Sequence, residues 1–156
     1  MAFFRHCVWL LWLVATPVLH AGDIATPSPE KAYRSYSIRG WQIYYESSLL
    51  TQTPQKLVKA FAILDDKLEQ IEALVPSPAT KKLRQVPIWL SVDQGTGLVY
   101  HASRSWLVRH GRNPAMSHGV ELQNVDDFIL WIESQPMVLL HELAHSLHHR
   151  VFDYQQ

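Results

Sequence analysis

Val138-Leu139-Leu140-His141-Glu142-Leu143-Ala144-His145-Ser146-Leu147, close to the carboxyl end of a 156-residue chain, carries two interleaved series. Leu139, Leu143 and Leu147 recur every four residues, and so do His141 and His145. At about 100° per residue the two series fall on opposite sides of one helix, so the leucines can pack on a sheet while the imidazoles face a cleft. Ser134 and Pro136 predict where this helix opens, and it is expected to run to about Arg150. Imidazoles one turn apart can reach a single cation at roughly 2.0 to 2.1 Å, which makes His141 and His145 candidate ligands of Zn²⁺. Glu142 lies at the edge of the same face, close enough to take a proton from zinc-bound water without being a ligand itself. It is the candidate catalytic base for attack on a polarised carbonyl. The competing reading is a helix with two solvated surface histidines. The clean apolar back face and the helix-start signal upstream favour the metal.

Upstream, Thr53-Pro54 joins an N-cap residue to a first-turn proline, after which Leu57, Phe61, Leu64, Leu68, Ile71 and Val75 recur in steps of three and four. A long amphipathic helix ending before Pro76 is predicted. Ser37 to Tyr45, with Trp41, Ile43 and Tyr45 alternating, predicts a strand. Val86 to Val92 predicts another, with Pro87 confined to its start, and Gly119 to Gln123 a short third. Residues 76 to 85 read as a basic, proline-containing connection and Asp93 to His118 as a long loop holding a short helix over Ser103 to Arg109. Asp126 to Glu133 reads as one or two helical turns. Val120 to Gln123 is expected at the sheet edge beside the cleft, where an extended peptide could add by main-chain hydrogen bonding. The order of elements predicts an α+β domain with helices on one face of a small mixed sheet.

The amino terminus has a different composition. Arg5 precedes an apolar run from Cys7 to Leu19, and His20-Ala21-Gly22 follows with a small residue at the expected cut. Residues 1–21 are read as a signal peptide, 22–34 as a flexible leader and 35–156 as the folded domain, so a secreted or periplasmic protein is expected. The apolar run has 13 residues, short of the roughly 20 that cross a bilayer, which argues against stable membrane association after cleavage. The single cysteine, Cys7, falls inside the signal. A chain starting at Gly22 has no thiol, which excludes disulfides, a thiolate nucleophile and cysteine-ligated zinc. Fourteen Lys and Arg balance fourteen Asp and Glu, leaving no basic field for nucleic acid. The hydrophobic fraction of 47% is enough to bury one core in a chain of this length.

Catalytic zinc usually has three protein ligands and an open position. His148 and Val151 stand where a metzincin has glycine and histidine, and no glutamate follows His145. Asp153, His148 or an upstream loop histidine are the alternatives for the third ligand. His148 and His149 are otherwise expected as a solvated turn near the helix end, and His101, His110 and His118 as loop or surface residues. Tyr100 and Tyr154 are expected to pack or face solvent before serving an oxyanion.

Val138 to Val151 resembles the active helix of a family of secreted bacterial and fungal zinc metallopeptidases, distantly similar to the catalytic domain of anthrax lethal factor. Ile38-Arg39-Gly40-Trp41, Val86 to Leu90, Tyr100-His101, Ser103 to Leu107 and Val120-Glu121 are similar in order and spacing, so the resemblance covers about residues 36 to 152. It implies a zincin-like fold and a zinc-dependent peptidase acting on peptide or protein substrates. His141 and His145 would be the metal ligands and Glu142 the base. In that family the third ligand is a glutamate on a later helix, and this sequence ends before such a helix. The alternative is therefore a truncated or catalytically inactive zinc-binding or interaction domain of the same fold. Nothing in the sequence fixes substrate preference or oligomeric state.

Overall fold

A computed structural model describes residues 32–152, with side chains through His149. The signal peptide, most of the leader, and Asp153 and Tyr154 lie outside the described residues. The stretch expected as one strand from Ser37 to Tyr45 is a hairpin of β1 (Tyr33–Ile38) and β2 (Trp41–Glu46). Arg39 and Gly40 form its two-residue turn with φ of 50° and 82°, the positive pair that matches the twist of adjoining strands. Gly40 adopts this conformation freely. Arg39 is held there by carboxylates of the following long helix, Asp65 at 3.0 Å, Glu69 at 2.9 Å and Glu72 at 3.1 Å. Tyr33 and Arg34, read from the sequence as the end of the leader, pair with Glu46 and Tyr45.

A short helix α1 (Ser47–Gln52) leads to α2 (Pro54–Leu74). The Thr53 carbonyl accepts from the amides of Lys56 and Leu57, and α2 buries Leu57, Leu64, Leu68 and Ile71 on the predicted stripe, with Ala60 between them. The basic connection contains a helix that was not expected, α3 (Ser77–Leu83), with Pro78 in its first turn. Its C-terminal Leu83 carbonyl accepts the indole N–H of buried Trp41 at 3.1 Å. Then follow β3 (Ile88–Leu90), β4 (Leu98–Tyr100), α4 (Arg104–Arg109), a 3-10 turn at Pro114–Met116, β5 (Val120–Leu122), α5 (Val125–Trp131) and α6 (Val138–Phe152). The last helix opens two residues after Pro136, and the Ser134 hydroxyl donates to the Trp131 carbonyl at 2.9 Å instead of capping α6.

The five strands form one mixed sheet in the order β1-β2-β3-β5-β4, with β2, β3 and β5 parallel and the two outer strands antiparallel to their neighbours. Two expectations change here. The strand beside α6 at the sheet edge is β4, inside what reads as loop, while Val120–Leu122 is interior between β3 and β4. Helical structure also covers both faces. Side chains alternate along β3, so Ile88 and Leu90 enter the main core with Leu64, Leu68, Leu139 and Leu143. Trp89 faces the other way into a small cluster with Leu107 of α4 and Met116. Leu139 and Leu143 are fully buried and Leu147 partly so, which orients α6 about its axis and turns its histidines outward. Truncating Leu143 to alanine removes packing worth about 2–5 kcal/mol.

Candidate metal centre

With its leucines anchored, α6 presents His141 and His145 to solvent on one face. Their Nε2 atoms stand 3.1 Å apart, with the two rings nearly perpendicular at 89°. Two nitrogens at 2.0 to 2.1 Å from one tetrahedral ion are separated by about 3.3 Å, so the observed pair fits a shared cation without rearrangement of the helix. The ligand atoms of His141, Glu142 and His145 all lie within 4.8 Å of one another.

Glu142 is half-buried, turned toward β4, where its Oε2 accepts the Tyr100 backbone N–H at 2.8 Å. Strand geometry explains why that amide is available. The next residue, His101, directs its N–H inward to Gly119 O at 2.9 Å, so Tyr100 must direct its own outward. The general-base candidate and the sheet edge are thereby in direct contact.

Among the described residues no third group joins His141 and His145 except Glu142. His148 is exposed, with its ring centre 6.4 Å from that of His145. His110 donates from Nδ1 to the Trp106 carbonyl at 2.8 Å and stacks on the Trp106 ring. His118 is exposed, near the Tyr100 hydroxyl at 3.4 Å and with its ring centre 5.1 Å from that of His149. Tyr100 is half-buried beside α6. His149 is half-buried, not fully solvated.

His101 differs most from expectation. It is buried, and its Nε2 lies 2.7 Å from Oε2 of Glu121, itself completely buried on the second face of β5. Ser91 donates to the other Glu121 oxygen at 2.5 Å, Tyr33 donates to Ser91 at 3.1 Å, and the Arg112 guanidinium pairs with Oε2. Burial pushes the Glu121 carboxyl up, but the hydrogen bonds from His101 and Ser91 and the charge of Arg112 outweigh it and hold the group below its ordinary range. Burial pushes the Tyr33 phenol well up, so it remains a donor. Because β4 continues directly into His101, this network braces the strand that holds Glu142.

A cavity of about 300 Å³ adjoins His141 and Glu142. Leu98, Phe128, Trp131, Ile132 and Val138 form its walls, with Gly97 at one side. No protein family, no curated protein and no solved structure matches this chain. The metal-binding reading therefore stands on the chemistry and geometry of His141, Glu142 and His145, and the likeness to the lethal-factor family has no match behind it.

Proposed function

We propose that the chain is a zinc-binding domain of zincin-like architecture in which His141 and His145 hold one Zn²⁺. The observation that carries this is the 3.1 Å convergence of two solvent-facing Nε2 atoms on a helix whose opposite side is locked into the core. Neutral imidazole nitrogens suit zinc, and no cysteine is needed.

A second reading, hydrolysis of peptide bonds, is favoured by the place of Glu142 beside the sheet edge. Zinc, when bound, supplies Lewis-acid polarisation and an acidified water. Glu142 would accept the proton of that water at a carboxylate oxygen and pass it to the leaving amine. An extended substrate would lie along β4, the edge role expected from the sequence for Val120 to Gln123. Residues 1–21, read as an export signal, would put this activity in a secreted or periplasmic protein, whose amino terminus on sequencing would begin near Gly22.

Calorimetric zinc titration followed by assay on a broad peptide library separates the readings. One zinc per chain with no turnover identifies a binding domain. Turnover in the wild type that disappears in Glu142→Gln identifies a peptidase with Glu142 as its base, whereas turnover retained by that variant removes Glu142 from the mechanism. No zinc uptake overturns both.

A further inference from the structure

From Gln94 to Val120 the chain has no acidic residue but three arginines, Arg104, Arg109 and Arg112, within a sequence of no net charge. Arg112 is turned inward, where its guanidinium pairs with buried Glu121. Arg104 and Arg109 are exposed on α4, and among the described residues neither pairs with a carboxylate.

A single side chain seats α4. Leu107 is buried with Trp89 and Met116, on the sheet face away from Leu139 and Leu143 of α6, while the other five residues of α4 are exposed. Trp106 and Val108, on either side of Leu107 in the chain, remain 41% and 55% exposed. At about 100° per residue the order around the outward side is Trp106, Arg109, Ser105, Val108, Arg104, so apolar and cationic groups alternate there. The indole is held in place. The Ser103 hydroxyl oxygen accepts the Trp106 amide at 3.2 Å, and the His110 ring stacks on Trp106 at 4.0 Å and 19° while its Nδ1 donates to the Trp106 carbonyl at 2.8 Å.

This chemistry selects a partner. A nucleic acid is a poor fit, because two guanidinium groups neutralise few phosphates and His110 already covers one side of the only indole on α4. At a bilayer surface anionic headgroups lie directly beside acyl chains, which matches arginines set next to a tryptophan and a valine. We propose that α4 is a peripheral docking surface for an anionic phospholipid bilayer, with Trp106 and Val108 entering the interface and Arg104 and Arg109 meeting the headgroups. Binding is reversible, since the element is short and carries only two such charges, each worth about 5-fold in affinity. It uses the side of the sheet remote from the α6 leucines and requires neither zinc nor turnover.

The test is co-sedimentation of the full chain with vesicles of phosphatidylcholine alone and of an equal mixture of phosphatidylcholine and phosphatidylglycerol, in EDTA so that the metal centre takes no part. Binding is expected to the mixed vesicles only, and to fall as salt is raised. Arg104→Gln combined with Arg109→Gln should weaken it by about 25-fold. Trp106→Ala should weaken it several-fold, and Val108→Asp, at a more exposed position, should do so by setting a carboxylate against the headgroups. Lys81→Gln combined with Lys82→Gln removes the same charge from exposed positions on α3 and should leave binding unchanged. Equal binding to both vesicles, equal loss in the α3 and α4 charge variants, or binding untouched by both Trp106→Ala and Val108→Asp would overturn the proposal. So would absence of binding to the mixed vesicles, with or without uptake of a DNA oligonucleotide or of polyglutamate added in their place.

Discussion

Glu121 and Glu142 each stand beside histidine, and each is tied to the same region of chain, Tyr100-His101, yet they are built oppositely. Glu121 is fully buried, and both its oxygens receive side-chain donors, from Ser91 on one and from His101 and Arg112 on the other. Glu142 is half-buried and holds a single backbone amide, while its histidine neighbours point at each other in solvent. In the first set the fold supplies partners to both carboxylate oxygens, and their energy goes into fixing β3, β5 and the end of β4. The second leaves metal-binding atoms converged and accessible. The difference teaches that histidine and glutamate signify chemistry where the surrounding chain does not satisfy them, and that the satisfied set can hold the unsatisfied one in position.

Breaking the buried set should produce the largest effect. Glu121→Ala leaves Arg112 and His101 without their shared carboxylate and should cost about 3–5 kcal/mol in urea unfolding. A loss below about 1 kcal/mol would mean that the network does not brace the sheet. On the exposed set the corresponding effect appears only with metal. Zinc at a hundred times its dissociation constant should stabilise the wild type by about 2.7 kcal/mol and leave His141→Ala unchanged. Equal stabilisation of both would assign the ion elsewhere.

Acid sharpens the contrast. The Glu121 carboxyl is held low in the folded chain, so its contribution is present above the ordinary carboxylate value of about 4.3 and is lost as pH falls through the folded value. Unfolding followed below about pH 4 should therefore show a fall in stability that Glu121→Gln lacks. The same slope in that variant would place the acid sensitivity in other groups. The smallest effects belong to the surface. Without metal, His145→Ala and Lys56→Ala, the latter breaking an exposed pair with Asp126, should each change stability by less than about 0.5 kcal/mol. A larger change in His145→Ala would show that its ring supports the fold directly.

Local periodicity made α2, the back of α6 and the cores of β2, β3 and β5 legible, because each is decided by residues within a few positions of one another. The hairpin was not, since Arg39-Gly40 sits inside a continuous run of strand-forming residues and only the positive φ at both positions reveals the reversal. The helix α3 did carry a signal, a proline in its first turn like that of α2, but seven residues are too few to show a period. Strand β4 spans three residues after a turn holding Gly95 and Gly97 and exists through its pairing with β5. For the site, His141, Glu142 and His145 were readable because helical spacing alone puts them together. Glu121 and His101 were not, because their partnership spans 20 positions and depends on sheet register. Alternation in Val120–Leu122 puts Glu121 on the face opposite the main core, and the layer that buries it there comes from Leu107 of α4 and Met116 of the 3-10 turn, inside the stretch that reads as loop.

Zinc absorption spectroscopy on the metal-loaded full chain, paired with calorimetric titration of wild type, His141→Ala and His145→Ala, tests the central claim most directly. One zinc per wild-type chain is expected, with two imidazole nitrogens at roughly 2.0 to 2.1 Å, and each variant should lose affinity by at least about 100-fold. Zinc bound with undiminished affinity by both variants, or a coordination shell without imidazole, would contradict it.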